Sequence, residues 1–129
     1  MARVAWAHLC DYAFLDATGK ACLIGILSRI LAPRVPTTLP RLFLAMEVHG
    51  EPHEGGALGL RLLRPDGGEL FDVARPLDLG PTGHHLLITA MDNLLLPDFG
   101  PYSLDVRLAG QPLHAVALEV LRLPTPSGT

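Results

Sequence analysis

The chain has 129 residues and a mass of 13.8 kDa, the size of one domain that can bury a core without disulfide or metal staples. Hydrophobic residues make up 49 % and the net charge is −3; the first excludes a largely disordered chain, and the second leaves no basic excess to neutralise phosphates, so nucleic acid is not an expected partner. No apolar run approaches the roughly 18 residues of a membrane span, and the opening stretch, broken by His8 and Asp11, lacks the pattern of a secretory signal, so no membrane is expected and the cytoplasm is the default location.

Arg3 to Ala13 reads as a first strand. Val4, Trp6, His8, Cys10 and Tyr12 share one face, with Trp6 and Tyr12 as core aromatics; Ala5, Ala7, Leu9 and Asp11 share the other. Asp16-Ala17-Thr18-Gly19 is a turn. Lys20 to Ala32 fits two templates: Leu23, Leu27 and Ile30/Leu31 form a helical stripe, whereas Ile24, Ile26, Ser28 and Ile30 alternate with Leu23, Gly25, Leu27 and Arg29 as a strand. Gly25, the isoleucines and the preceding turn favour the strand. Such a strand is apolar on both faces, so a chain segment or a second subunit must cover the second one. A simple hairpin here sets Cys10 opposite Gly25 and Cys22 opposite Ala13. The sulfurs are then on the order of 10 Å apart, beyond disulfide reach, and both cysteines are expected reduced and buried.

Pro33 to Pro40 reads as an extended crossover loop. Arg41 to His49 is a strand with Leu42, Leu44, Met46 and Val48 inward and Arg41, Ala45, Glu47 and His49 outward, Phe43 being the exception. Gly50 to Gly56 is a polar loop. Ala57 to Arg64 is a strand carrying Leu58, Leu60 and Leu62, and Pro65-Asp66-Gly67-Gly68 turns it into a short return strand, Glu69 to Val73. Arg75 to Gly83 reads as a loop or irregular edge and His84 to Asp92 as a strand. Pro97-Asp98-Phe99-Gly100-Pro101 makes a corner, with Phe99 and Tyr102 as plugs. Tyr102, Leu104, Val106 and Leu108 then line one face of a strand; Ala109-Gly110-Gln111-Pro112 turns it; Val116, Leu118 and Val120 line the return. Residues 1–123 therefore form one domain and 124–129 a flexible tail. The pattern predicts an all-β fold, a single-domain antiparallel sandwich of about seven to nine strands with immunoglobulin-like or related Greek-key topology.

Candidate sites are few. His49-Gly50-Glu51-Pro52-His53-Glu54 gathers two histidines and two carboxylates in one loop, so His49, Glu51 and His53 are the candidate metal ligands; the spacing matches no established motif. His84 and His85 are adjacent on a strand and point to opposite faces, though one of them could join His49 from its own strand. No nucleophile elbow, Cys/His pair, paired acid and base or phosphate loop is visible, and no cofactor is expected.

Leu9-Cys10-Asp11-Tyr12-Ala13, Gly19-Lys20 followed by Leu23-Ile24-Gly25-Ile26 and Ile30, Pro36 to Leu42, the Pro-Asp-Gly turn and the Phe99-Gly100-Pro101-Tyr102 corner together resemble a family of small uncharacterised bacterial proteins, a domain of unknown function. The resemblance runs to about Val120. It implies an all-β fold and no activity. Pro101 stands where that family carries a polar residue, which touches only the corner geometry. The function expected first is a non-enzymatic interaction or assembly module acting with a protein partner or as a homo-oligomer; a small-ligand or metal-binding sandwich using the His49–Glu54 loop is the alternative.

Overall fold

Period-two alternation dominates the chain, and the computed structural model, which describes residues 1–124, turns it into nine strands and no helix among the described residues. The strands are β1 (Arg3–Leu15), β2 (Ala21–Leu27), β3 (Arg29–Ala32), β4 (Thr37–His49), β5 (Gly55–Leu63), β6 (Glu69–Asp78), β7 (His84–Leu96), β8 (Gly100–Leu108) and β9 (Gln111–Arg122). They form a four-stranded sheet in the order β2-β1-β4-β7 and a five-stranded sheet in the order β3-β9-β8-β5-β6. The tail expected from 124 onward lies, past its first residue, outside the described residues.

Between the sheets lies one core. Leu42, Leu44, Met46 and Val48 of β4 meet Leu58, Leu60 and Leu62 of β5, Tyr102, Leu104, Val106 and Leu108 of β8, and Leu118 and Val120 of β9, all buried. Each set sits at spacing two, so one face of each strand supplies the core. The hairpin of β8 and β9 turns on Ala109 and Gly110, both at positive φ (51° and 80°), the pattern of a type I′ turn. Tyr102 locks the preceding corner. Its hydroxyl accepts from the Asp98 N–H and donates to the Asp98 carbonyl, both at 2.8 Å, so a buried phenol closes the turn four residues upstream as a tyrosine corner does.

Several expectations need correction. Lys20–Ala32 is extended, but as two strands. β2 pairs with β1 in one sheet; at Ser28 the chain crosses over, and β3 pairs with β9 in the other. That second pairing is parallel, so the sandwich is antiparallel in every pair but this one. β4 begins at Thr37, inside the expected crossover loop, and runs through Pro40. Its pairing with β1 stops at Phe43, so no ladder on that side demands the missing N–H. β6 continues through Pro76 to Asp78, which settles the first part of the stretch read as a loop or irregular edge as an edge strand; as the last strand of its sheet it tolerates the proline. β7 extends to Leu96, pairing Leu94–Leu96 with Thr37–Leu39. Cys10 faces Ile26 and Cys22 faces Phe14, one residue off the expected register. Both are free; Cys10 is buried, Cys22 only half-buried.

Candidate functional site

The four-stranded sheet has two apolar faces, and only one of them looks into the sandwich. On β1, Ala7 and Leu9 pack inward, so Trp6, His8, Cys10, Tyr12 and Phe14 point outward. Cross-strand register places Cys22, Ile24 and Ile26 of β2, and Phe43, Ala45 and Glu47 of β4, on the same outer side. Ile88 and Ala90 of β7 complete it. Cys10, Ala13, Phe43 and Ala45 are buried in a second, thin apolar layer, with Trp6, Leu23 and Ile88 packed against it.

The groups above that layer are open. Tyr12 is 49 % exposed, Phe14 38 %, and Ile24 and Ile26 58 % each. Trp6 and Tyr12, expected as core aromatics, therefore lie on this outer side, Trp6 half-buried and Tyr12 exposed. Tyr12 meets Phe43 edge-on with ring centroids 5.2 Å apart, and Phe14 at 5.6 Å. Arg41 reaches over Phe43 and pairs with Asp92 at 2.6 Å, which closes one end of the patch. At the other end Trp6 Nε1 donates to Glu47 at 3.2 Å and stacks on His8, and His49 and His84, cross-strand partners, stack at 4.0 Å and 10°. The outer face thus runs from a polar, imidazole-rich end to an apolar end around Tyr12 and Ile24.

Of the candidate metal ligands, His49 and His53 each lie near a carboxylate and Glu51 is exposed. His49 Nε2 lies 3.2 Å from Glu47 Oε2, and its ring stacks on that of His84. His53, at φ 59°, sets Nδ1 3.2 Å from Asp78 Oδ1. Glu51 is exposed, and its N–H donates to Glu54 Oε1 at 2.9 Å. Glu54 also accepts from the Ala2 N–H. The backbone bond from Glu51 is the main reason its carboxyl sits below the ordinary range, and the Gly80 N–H, ahead of His53, does the same for Asp78. These two carboxylates organise the loop as turn-closing acceptors. Among the described residues, no group of three or more His, Cys, Asp or Glu side chains is placed to hold a metal ion.

A cleft of about 450 Å³ opens between the β6 and β7 edges, lined by Leu70, Phe71 and Val73 on one side and Ala90 to Leu95 on the other. It carries Asp92 as its one ionisable group, and that is paired to Arg41. Sequence reading flagged the doubly apolar character of β2 and missed that of β1. The signal was available: Tyr12 and Phe14 share a parity with Trp6, while Leu9 holds the opposite one.

A family model described as "Family of unknown function (DUF6941)" matches residues 5–121 of the chain. No curated protein matches it. Among solved structures, an immunoglobulin-like protein from Pseudomonas aeruginosa is similar with a TM-score of 0.50 and 15 % identity, over 93 % of this chain and 96 % of that one. An alkylpurine DNA glycosylase from Pseudomonas fluorescens, bound to DNA containing an abasic site analog, is similar over 89 % of this chain but 30 % of its own, at 10 % identity and a TM-score of 0.48. The first likeness agrees with an immunoglobulin-like sandwich and speaks to fold alone; the second carries no argument.

Proposed function

The chain belongs to this family of unknown function, and on that premise we propose that it is a non-enzymatic interaction module whose binding surface is the outer face of the four-stranded sheet. One observation carries the reading: two aromatic and two branched aliphatic side chains, Tyr12, Phe14, Ile24 and Ile26, stand 38–58 % exposed on neighbouring strands β1 and β2. Apolar surface left in water costs roughly 25 cal/mol per Å², and patches of several hundred Å² mark interaction sites on soluble domains.

The four sheet edges support the face over the edge as the docking mode. β2 carries Gly25 at φ 69°, which kinks it; β3 has four residues; β6 carries Pro76; β7 carries Asn93 at φ 53°. Kinks, prolines and short strands blunt an edge against strand addition. The chemistry points the same way. No charged side chain is buried among the described residues, and the Arg41–Asp92, Arg61–Asp105 and Arg64–Asp98 pairs neutralise one another on the surface.

Sizing the native protein in an extract of its own cells tests the reading. The wild-type chain should elute well above 13.8 kDa, and Ile24→Lys should return it to the size of a single chain. A wild-type chain that elutes alone, or a complex untouched by Ile24→Lys, overturns it.

A further inference from the structure

We infer that the occupant of this outer face is a second copy of the chain, packed sheet to sheet about a two-fold axis that runs along β1 and β4. The inference rests on the interaction reading above and names its partner.

The first argument is area. The face is stepped, β2 flanking β1 from Leu9 onward and β4 flanking it up to Cys10; with strands about 4.8 Å apart and about 3.3 Å per residue, some eight residues of each strand present roughly 500 Å² in projection. Two such faces bury about 1,000 Å² together, and more once side-chain relief is counted, which reaches the size of a specific interface.

The second argument is relief. β2 raises Ile24 and Ile26 along one margin of the face, whereas β4 and β7 carry the small side chains Ala45 and Ala90 toward the other margin. Register puts Ile26, Cys10, Phe43 and Ala90 in one row across the sheet. A two-fold axis between β1 and β4 lays β2 of each copy over β7 of its partner, so the Ile26 of one row comes over the Ala90 of the same row in the other copy. A self-complementary contact of this kind is what a two-fold interface requires.

The third argument is charge. The whole chain is at −3, which opposes self-association, but this face is balanced. Arg41 and Asp92 neutralise each other at its apolar end; at the other end Arg3, beside His49, and Glu47, against which Trp6 and His49 rest, are of opposite sign, and the imidazoles of His8, His49 and His84 complete the ionisable groups. A second copy therefore meets no excess of like charge.

Light scattering on the purified full chain across a dilution series tests the inference. The expected mass at high concentration is twice 13.8 kDa. Ile26→Lys and Ile24→Lys should each weaken the dimer at least about tenfold, with an unchanged circular-dichroism spectrum, since the first sets a charge over Ala90 and the second removes apolar area from the β2 margin. Both positions are exposed, so the fold does not depend on them. A measurement without substitution accompanies these: alkylation of Cys22, half-buried on the same face opposite Phe14, should slow as protein concentration rises. A single-chain mass at every concentration overturns the inference, as does a dimer that both lysine variants leave intact or in which Cys22 reacts at a constant rate. A purified single chain that still joins an Ile24-dependent complex in the extract overturns the second copy and spares the interaction reading; a single chain in both settings overturns both.

Discussion

Tyr12 stands edge-on against Phe43, ring centroids 5.2 Å apart and planes at 71°, yet Phe43 is 8 % exposed and Tyr12 49 %. The pair joins a buried layer to an open surface. Phe43→Ala should cost about 3 kcal/mol in chemical denaturation, since it empties that layer, and Tyr12→Ala only about 1 kcal/mol. A double-mutant cycle should give a coupling near 1 kcal/mol. Equal costs for the two would mean that Tyr12 is a core residue and would weaken its assignment to a docking face.

Tyr102→Phe removes one oxygen and leaves both the N–H and the carbonyl of Asp98 without that partner. The ring still fills its place, so the loss is the hydrogen bonds alone, about 1–2 kcal/mol. Urea unfolding of the two proteins measures it. A change under about 0.3 kcal/mol would show that water replaces the phenol at no cost.

Ala109 occupies the first central position of the β8–β9 turn at φ 51°, where a Cβ is strained by roughly 1 kcal/mol. Ala109→Asn produces the Asn-Gly pair that this turn type prefers. The substitution should raise stability by about 0.5–1 kcal/mol, read as a higher midpoint in thermal unfolding. A lower midpoint would place the turn in another class.

The acid limb of the stability curve has identifiable sources. Asp16 is held below the ordinary carboxylate range first by the Thr18 hydroxyl, Glu54 first by the Glu51 N–H, and Asp78 first by the Gly80 N–H. A carboxyl that loses its proton more readily when folded adds stability above its unfolded pKa, and that stability is lost as pH falls through the lower folded value. Glu54→Gln and Asp78→Asn should each flatten the fall of the thermal midpoint between the ordinary carboxylate range and more acid pH, leaving the neutral side level. An unchanged acid slope in both variants would remove these loops from the account.

The core was legible because its strands alternate cleanly: Leu42 to Val48, Leu58 to Leu62 and Tyr102 to Leu108 sit at spacing two and are buried as read. The expected resemblance to a family of unknown function agrees with the family model that matches residues 5–121. Strand ends were not, because Pro40 and Pro76 read as breakers, and only the pairing partners show where a missing N–H goes unneeded. The division at Ser28 was hidden for a related reason. Local sequence specifies an extended segment and says nothing of which sheet it joins. The outer face was half legible: Lys20 to Ala32 declared two apolar sides, while β1 concealed its own, since Trp6 and Tyr12 look like core in any strand. The histidine loop drew attention by composition, and one of its carboxylates, Glu54, serves the backbone N–H groups of Ala2 and Glu51, which no one-dimensional pattern reveals.

The crossing at Ser28 gives the sandwich a spine. One continuous segment is stitched into both sheets on that side, through β2 to β1 and through β3 to β9, while the far margin, where β6 and β7 run past each other, has no shared strand. Thermal breathing should accordingly be lopsided, with the molecule loosening like a book along its fore-edge. Amide hydrogens of β6 should exchange with solvent well before those of β8 and β9, and a load applied to β2 should be felt in both halves at once.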